Sequence, residues 1–483
     1  MPREIDIPPC DPRQFRAVLP PERLAAFDDA THEAHDVLGG RVVWNINSTA
    51  QGGGVVELLR PLIGYARGAG VDARWLVIDA SPEFFTITKR IHNRLHGADG
   101  DGGALDDSAR RAYEAVLEQN AQAIEPLVRE GDVVIVHDPQ PAGMIRNLVD
   151  AGAAVIWRCH VGLDRPNERA HEAWDFLRPY ILPAHAYVFS RESFAWEGLD
   201  RNRIAVIPPS IDVFAPKNVD LDPAMVRAVL RDSAILAGVE AGAPAVFERH
   251  DGTPTRIERH ADMIEDVRLT PDVPVVLQVS RWDRLKDPIG VIRGFAEHVP
   301  AETGAHLVYA APAAQAVADD PEGAQVREEA IAERQRLPAE RRGRIHLASL
   351  PMDDAEENAI MTNALQRHAR VVVQKSLAEG FGLTVAEAMW KARPVVASAI
   401  GGIQDQIVRG ETGLLLDDPR DLAAYGTAVT QLLLDEPAAE RMGRLARERV
   451  RGRFLSVRSL LDYFVLIRAV LAVTPEAALT AQR

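Results

Sequence analysis

The chain has 483 residues, a length that predicts two or three domains rather than a single core. Hydrophobic residues make up 47% and charged residues 26%, a balance typical of folded globular proteins and unlike that of disordered chains. The formal net charge of -15 argues against a nucleic-acid partner, because nucleic-acid binding needs clustered basic side chains. Composition therefore favours a small-molecule substrate.

The sequence predicts a cytoplasmic protein with no membrane partner. The first residues, MPREIDIPPCDPRQF, are polar and lack the apolar core of a signal peptide, and the chain has no run of about 18 apolar residues. Cys10 and Cys159 are the only cysteines, too few for a disulfide framework or a cysteine-based metal site. His92 and His96 have i,i+4 spacing but lack the adjacent glutamate of the H-E-x-x-H motif, so no metal site is predicted.

Apolar runs of strand length alternate with helical stretches along the chain, a pattern typical of a parallel sheet covered on both faces. The class is therefore α/β. The first set of predicted strands is Val42–Asn45, Ala73–Ile78, Val133–His137, Ala154–Cys159, Ala186–Phe189 and Ile204–Ile207. The second set is Val275–Val279, His306–Ala310, Ile345–Leu347, Val371–Gln374, Val395–Ala397 and Leu414–Leu416.

These two sets predict two Rossmann-like domains whose parallel sheets face a central crevice. The first domain covers residues 1–215, and the second covers 273–455. Residues 216–272 carry acidic helical pieces and a turn-rich stretch, as expected of a linker with an insertion. A final helix within residues 456–483 has apolar residues at helical spacing and is expected to complete the first domain. Ligands of such sheets bind at the carboxyl ends of the strands.

Two basic residues follow the first strand of the second domain. Arg281 and Lys286 lie just beyond Val279, where two cations can neutralise a leaving diphosphate. The alternative is a solvated basic turn paired with Asp283 and Asp287.

The most informative local motif runs from Glu379 to Glu387, after the strand Val371–Gln374. Glu379 lies in a glycine-rich loop, where it can reach a sugar hydroxyl or an electron-poor anomeric carbon. The backbone N–H groups of Phe381, Gly382 and Leu383, at a helix start, can bind sugar or phosphate oxygens. Glu387, about one turn into the helix, can accept hydrogen bonds from ribose hydroxyls. Alternatively, Glu387 is a surface residue and Glu379 is favoured only by the helix dipole.

The first domain offers two weaker candidates. Gly53 and Gly54 end a glycine run at a predicted helix start, where a phosphate can bind backbone N–H groups, although a simple chain reversal explains the run equally well. His160, with Arg158 just before it, follows a strand end and can donate a hydrogen bond to a sugar hydroxyl and help position the acceptor. A core histidine bonded to backbone is the alternative. Cys159 should point away from His160, and we do not interpret it as a nucleophile.

Together these motifs resemble the retaining GT-B glycosyltransferases of the glycogen-synthase and sucrose-phosphate-synthase superfamily, through the Arg281/Lys286 pair and the two glutamates spaced as E-x7-E. Longer stretches are similar to the trehalose glycosyltransferring synthases. The matching stretches are Val43-Trp44-Asn45-Ile46-Asn47-Ser48-Thr49, Gly52-Gly53-Gly54, Phe84-Phe85-Thr86-Ile87-Thr88-Lys89, Trp157-Arg158-Cys159-His160, Gln278-Val279-Ser280-Arg281-Trp282-Asp283 and Lys375-Ser376-Leu377-Ala378-Glu379-Gly380-Phe381-Gly382.

The resemblance implies roles for individual residues. Arg281 and Lys286 would bind the diphosphate, Glu379 the donor sugar, and Glu387 the ribose. His160 would lie beside the transferred glucose, and the nucleotide base would lie near Leu350. The acceptor-side candidates are Asn47, Lys89, Asp138 and Arg158. The chain departs from the family where His160 is followed by Val161-Gly162-Leu163-Asp164 rather than His-Ile-Asp, and in the length of residues 216–272.

The reaction implied is retaining transfer of glucose from a nucleoside-diphosphate glucose to glucose, giving trehalose. A retaining trehalose phosphorylase, a related transferase with another acceptor, and a binding protein without turnover are the alternatives. The donor is a substrate, and no tightly bound cofactor is expected; Mg²⁺ is compatible only as a stimulating ion. The expected partners are small sugars and the nucleotide sugar, and a homodimer is compatible with the sequence.

Overall fold

The computed structural model describes residues 1–19, 21–50, 54–240, 242–249, 252–313 and 322–473. The chain forms two compact units, one comprising Met1–Ser210 with Phe454–Arg483 and the other Ile211–Arg453. Each is an α/β unit built on a seven-stranded sheet. Among the described helices, none combines the length and the apolar character needed to cross a bilayer.

The strands of the first unit are β1 (Arg3–Ile5), β2 (Val42–Asn47), β3 (Asp72–Val77), β4 (Val133–His137), β5 (Ala154–Cys159), β6 (Ala186–Phe189) and β7 (Ile204–Val206). Those of the second are β8 (Val246–Glu248), β9 (Pro254–Arg256), β10 (Asp262–Ile264), β11 (Val275–Val279), β12 (His306–Pro312), β13 (Ile345–Leu350), β14 (Val371–Gln374), β15 (Val395–Ser398) and β16 (Leu414–Leu416). All twelve predicted strands are present, with ends that differ by a few residues.

The described helices are α1 (Pro21–Leu38), α2 (Gly54–Gly68), α3 (Pro82–Leu95), α4 (Asp107–Ile124), α5 (Ile145–Asp150), α6 (Glu168–Ile181), α7 (Pro223–Asp232), α8 (Pro288–His298), α9 (Gly323–Arg336), α10 (Ala339–Arg342), α11 (Ala355–His368), α12 (Leu383–Trp390), α13 (Ile403–Gln406), α14 (Leu422–Leu434), α15 (Glu436–Arg453) and α16 (Ser456–Val473). Helix α16 packs on α2 and α1, within the first unit.

The first sheet has the strand order β1-β3-β2-β4-β5-β6-β7, in which only β1 is antiparallel. Every residue of β2, β4 and β5 is buried, because helices cover both faces of a parallel sheet. Alternating side chains enter two separate cores: Trp44 packs in one and Val43 in the other. The order in which strands are added to the sheet reverses between β2 and β4. A binding site is therefore expected at that point.

The second sheet has the order β10-β13-β12-β11-β14-β15-β16, with β10 antiparallel. Its six parallel strands follow the order 3-2-1-4-5-6 of a Rossmann fold. The strand order therefore reverses between β11 and β14. This topological switch point is where such sheets bind ligands.

Residues 216–272 were expected to form a linker with an insertion, and the structure places them inside the second unit. Helix α7 packs on α11, strands β8 and β9 form a hairpin, and β10 extends the sheet at its edge. Short antiparallel edge strands such as β1 and β10 carry too few apolar residues to be recognised from the sequence.

Candidate functional site

The switch point of the second sheet brings together two of the sequence-predicted residues. Lys286 follows β11 and Glu379 follows β14, which is the parallel neighbour of β11. The Lys286 Nζ atom lies 2.6 Å from Glu379 Oε2, and both side chains are largely buried. A cation and a carboxylate thus meet where a ligand of this fold is expected to bind.

The backbone that carries Lys286 is fixed by neighbouring strands. Gln278 Nε2 donates to the Lys286 carbonyl at 2.8 Å, and Leu377 N–H donates to the Leu285 carbonyl at 2.7 Å. Asp287 adopts the left-handed conformation with φ of 51° and pairs with Lys375, which is completely buried. Lys375 therefore orders the loop on which Lys286 stands.

Arg281 occupies the same loop and lies near Asp283. Its Nη2 lies 3.6 Å from Asp283 Oδ2, beyond direct hydrogen-bond distance, and its side chain is 31% exposed. Asp283 instead accepts a hydrogen bond from the Leu285 N–H at 2.7 Å. The predicted alternative of a basic turn neutralised by Asp283 and Asp287 is only partly realised, because Asp287 pairs with Lys375.

Glycines fix the loop between Glu379 and α12. Gly382 is left-handed (φ 82°) at the amino end of α12. A Cβ at Gly401 would lie 1.9 Å from the Glu379 carbonyl oxygen, so only glycine permits this approach. Gln406 Nε2 donates to the Phe381 carbonyl at 2.6 Å. The predicted backbone donors at Phe381, Gly382 and Leu383 therefore lie on an ordered turn next to Glu379.

Glu387 is a buried carboxylate rather than a surface residue of α12, with 2% of its surface exposed. Its Oε1 lies 3.0 Å from Lys217 Nζ, and Oε2 has no hydrogen-bond partner within the described part of the chain. Lys391 Nζ donates to Asn218 Oδ1 at 3.0 Å and to the Glu387 carbonyl at 3.2 Å. Burial holds the pKa of Lys391 well below its ordinary value, which favours its neutral form.

The remaining donor-side candidates are Leu350 in the second unit and the glycine pair Gly53 and Gly54 in the first. Leu350 is buried at the carboxyl end of β13, and the following Pro351 accepts a hydrogen bond from Asn358 at 2.9 Å. Gly54 begins α2 in the first unit, whereas Gly53 lies outside the described residues.

In the first unit, His160 belongs to a chain of buried hydrogen bonds at the ends of β4 and β5. His160 Nε2 lies 3.2 Å from His137 Nδ1, and His137 Nε2 lies 3.0 Å from Asn45 Oδ1. Burial and the nearby Arg158 lower the pKa of both rings, that of His137 to about 3, so both imidazoles are neutral.

The chain of bonds assigns the tautomers. Because the Asn45 oxygen can only accept, His137 Nε2 carries a proton and its Nδ1 accepts. His160 Nε2 then donates, and His160 Nδ1 is left as a buried acceptor with no partner among the described residues. We expected His160 to donate to a sugar; the geometry makes its remaining nitrogen an acceptor.

Asp138 fixes the strand ends around His160. It adopts a left-handed φ of 65°, unusual for a residue other than glycine. Its Oδ1 accepts the His160 N–H at 2.7 Å, and its own N–H donates to the Arg158 carbonyl at 2.7 Å. Burial raises the pKa of Asp138 to about 6. The strained backbone and the buried carboxylate together orient the His160 loop.

The other acceptor-side candidates differ in how far their side chains are already hydrogen-bonded within the protein. Asn47 is committed internally, since its Oδ1 accepts from Trp75 Nε1 at 2.8 Å and its Nδ2 donates to the Thr49 carbonyl at 2.7 Å. Arg158 is 1% exposed and donates to Ser190 Oγ at 3.1 Å, while its Nε and Nη1 have no partner in the described ranges. Lys89 lies on α3, half-buried, outside this network.

Cys159 is buried beside this network. Its thiol donates to the Val161 carbonyl at 3.1 Å, and burial raises its pKa. A thiol held in its neutral form is a poor nucleophile, in agreement with the sequence-based interpretation.

Sequence reasoning missed His137, Lys217 and Lys375. His137 is the polar last residue of an otherwise apolar buried strand, and this position could have identified it as a candidate site residue. For the lysines, the signal was composition: the 55 basic residues include only five lysines, Lys89, Lys217, Lys286, Lys375 and Lys391. Four of these lie in the second unit, and each of the four contacts a residue of the candidate donor site or of the loop that carries it.

Comparison with known proteins agrees with this geometry. The family described as "Trehalose synthase, N-terminal domain" matches residues 45–196, and "Glycosyl transferases group 1" matches residues 357–449. The solved sucrose-phosphate synthase from Thermosynechococcus elongatus is similar in fold, with a TM-score of 0.63 at 18% identity, covering 89% of this chain and 99% of that one. The fold and the site thus define a glycosyltransferase of the GT-B class.

Relatives that match nearly the whole chain identify the family within this class. The trehalose synthase of Rubrobacter xylanophilus is 37% identical over 463 residues, 95% of this chain and 97% of the relative. The trehalose synthase of Pyrococcus horikoshii is 33% identical over 459 residues, which cover 94% of this chain and 95% of the relative. The chain belongs to the trehalose synthase family.

Proposed function

We propose that this protein transfers glucose from a nucleoside-diphosphate glucose to free glucose, forming trehalose with retention of configuration at the donor carbon. The observation that carries the proposal is the 2.6 Å contact between Lys286 and Glu379 at the switch point of the second sheet. It supplies a cation for a diphosphate beside a carboxylate for the attached sugar. Similarity to trehalose synthases along the whole chain supports the identity of the product.

In the proposed reaction, a hydroxyl oxygen of the acceptor glucose attacks the anomeric carbon from the face that the phosphate occupies. The bond from that carbon to the phosphate oxygen breaks, the new glycosidic bond forms, and the hydroxyl proton passes to the departing phosphate oxygen. No protein nucleophile takes part. Negative charge grows on the diphosphate, so Lys286 and Arg281 stabilise the transition state more than the bound substrate.

The pairing of Lys286 with Glu379 suggests how the donor binds. The diphosphate competes with the Glu379 carboxylate for the Lys286 ammonium, and the released carboxylate becomes available to a donor hydroxyl. In the first unit, the acceptor nitrogen of His160 is suited to a neutral sugar hydroxyl, because a neutral ring can accept a hydrogen bond from that hydroxyl.

Product analysis tests the proposal. The protein is incubated with glucose and ADP-, GDP- or UDP-glucose in turn, and in parallel with trehalose and inorganic phosphate. We expect α,α-trehalose and the free nucleoside diphosphate, with the linkage read by NMR. Lys286→Met should slow product formation about 100- to 1000-fold, and Arg444→Met, which removes an exposed charge on α15, should leave it unchanged. Glucose 1-phosphate formed only from trehalose and phosphate would instead identify a phosphorylase.

A further inference from the structure

Lys217 lies in the segment after β7 that the sequence analysis treated as a linker. Its Nζ is 3.0 Å from Glu387 Oε1, with the lysine side chain 20% exposed and Glu387 almost fully buried. One oxygen of the buried carboxylate is therefore committed to a cation from outside α12.

The second oxygen of Glu387 differs from the first in its hydrogen bonding. Oε2 is buried and has no hydrogen-bond partner within the described part of the chain. An unpaired buried acceptor is unfavourable unless a ligand supplies a donor. Because Oε1 is anchored, the direction in which Oε2 can accept a hydroxyl is fixed.

The segment around Lys217 is itself attached to the second unit. Asn363 Nδ2 donates to the carbonyls of Pro216 at 2.9 Å and Val219 at 2.8 Å. Trp390 Nε1, on the same helix as Glu387, donates to the Asn218 carbonyl at 3.1 Å. Lys217 is thus held between two residues whose backbone is bound to α11 and α12.

The choice of lysine in an arginine-rich chain carries further information. A guanidinium presents two parallel N–H groups and commonly pairs with both oxygens of a carboxylate, whereas an ammonium is a compact point charge. At this position an arginine would be able to occupy both oxygens of Glu387. Lysine neutralises the carboxylate through Oε1 and leaves Oε2 for a ligand.

We propose that Lys217 is a positioning residue of the donor site, which holds Glu387 Oε1 so that Oε2 accepts a hydroxyl hydrogen from the ribose of the bound nucleotide. The inference rests on the proposed function, because it requires a nucleotide at this site. It assigns residues 216–220 to the donor site rather than to a linker.

Calorimetric titration tests the inference through ribose selectivity. ADP, GDP and UDP are titrated into the full-length protein beside their 2′-deoxy forms, and the ratio of the two dissociation constants is measured for each base. The variants are Lys217→Met, Lys217→Arg, Glu387→Gln and the double variant Lys217→Met/Glu387→Gln. Arg444→Met is the matched surface control, and thermal unfolding checks that each variant is folded.

We expect the parent and Arg444→Met to prefer the ribonucleotide about tenfold, the effect of one lost hydrogen bond to a charged group. In Lys217→Met and in Lys217→Arg the ratio should fall toward one: methionine frees the carboxylate to turn, and arginine occupies Oε2. The double variant should lose no more selectivity than Glu387→Gln alone, because both changes act through one carboxylate.

The outcomes separate the inference from the function it rests on. A selective parent whose ratio persists in Lys217→Met or in Lys217→Arg overturns the role of Lys217 and leaves the proposed function standing. A parent that binds no nucleotide overturns the proposed function and the inference with it. A parent that binds both forms equally overturns the assignment of Glu387 to ribose, and with it the inference, but leaves the proposed function standing.

Discussion

The two units place polar groups at their switch points in contrasting ways. In the second unit, the site consists of ion pairs: Lys286 with Glu379, Lys217 with Glu387, and Lys375 with Asp287. In the first unit, it consists of a hydrogen-bonded chain of two neutral imidazoles and an amide: His137 at the end of β4, His160 directly after β5, and Asn45 within β2. The same sheet architecture is thus combined with charge in one unit and with neutral donors and acceptors in the other.

This difference shows how two units with a common fold can bind ligands of different charge. A diphosphate carries charge that increases as it leaves, and fixed cations stabilise it. A free sugar is neutral and is recognised by hydrogen bonds of defined direction. The contrast is what a donor unit and an acceptor unit would each require, and four predictions test it.

The largest effect on catalysis is expected from removing the Lys286 charge in the second unit. Lys286→Met should lower kcat about 100- to 1000-fold, because one lost transition-state donor costs about 2.7–4 kcal/mol. Lys286→Arg should recover part of the loss, since the charge remains. Steady-state kinetics with the nucleotide sugar provides the measurement. A kcat within a few-fold of the parent would remove Lys286 from the transition state.

The buried pair behind Lys286 should affect stability more than binding. Lys375→Met leaves Asp287 without its buried partner, and breaking such a pair costs about 3 kcal/mol. Hydrogen exchange of the β11 and β14 amides should report the loss in the second unit, with Arg444→Met unchanged. Unaltered protection of these strands would show that the pair does not hold the loop.

A smaller effect is expected from the neutral site. His160→Ala removes one hydrogen-bond acceptor and should raise KM for glucose about tenfold, or about 1.4 kcal/mol. KM for the nucleotide sugar should change less, and His160→Asn should retain part of the affinity for glucose. An equal rise in both KM values would contradict the assignment of His160 to the acceptor.

The smallest net effect is expected from the pH dependence of the first unit, because His137 and Asp138 change its stability in opposite directions. Unfolded His137 is protonated below about pH 6.5, but the folded form has a pKa of about 3, so its contribution is complete above pH 6.5 and is lost as pH falls toward 3. The slope is about 1.4 kcal/mol per pH unit. Asp138 partly opposes it, because its raised pKa of about 6 lowers stability as pH rises from about 4 to 6.

His137→Gln should therefore lose less stability than the parent between pH 6.5 and pH 5. Hydrogen exchange of the β4 and β5 amides at the two pH values measures this within the first unit. Equal losses in parent and variant would mean that His137 is not kept neutral by its burial.

Much of this architecture was predictable because its signals are local. Buried parallel strands such as Val133–His137 are continuous apolar runs bounded by turns, and five of the six predicted for the second sheet end within two residues of the observed strand. Ile345–Leu347 is the exception, because β13 continues through the polar Ser349 to Leu350. Lys286 and Glu379 were predicted to lie at strand ends, and parallel neighbours bring such ends together.

The remainder depended on contacts distant in sequence. Lys217 and Glu387 are 170 positions apart, and nothing near Lys217 resembles a motif. The acceptor role of the free His160 nitrogen depends on Asn45 and His137, which lie on two other strands. A tautomer follows from the whole hydrogen-bonded chain, so no single segment of sequence could predict it.

The scarcity of lysine has a consequence for chemical labelling. Of the five primary amines on side chains, Lys375 and Lys391 are buried, and Lys217 and Lys286 are largely covered. Amine-directed reagents will therefore find few lysine targets on the outer surface. Acylation of Lys217 or Lys286 would modify the neighbourhood of Glu387 or Glu379, and protection from acylation by a nucleotide would serve as a footprint of its binding.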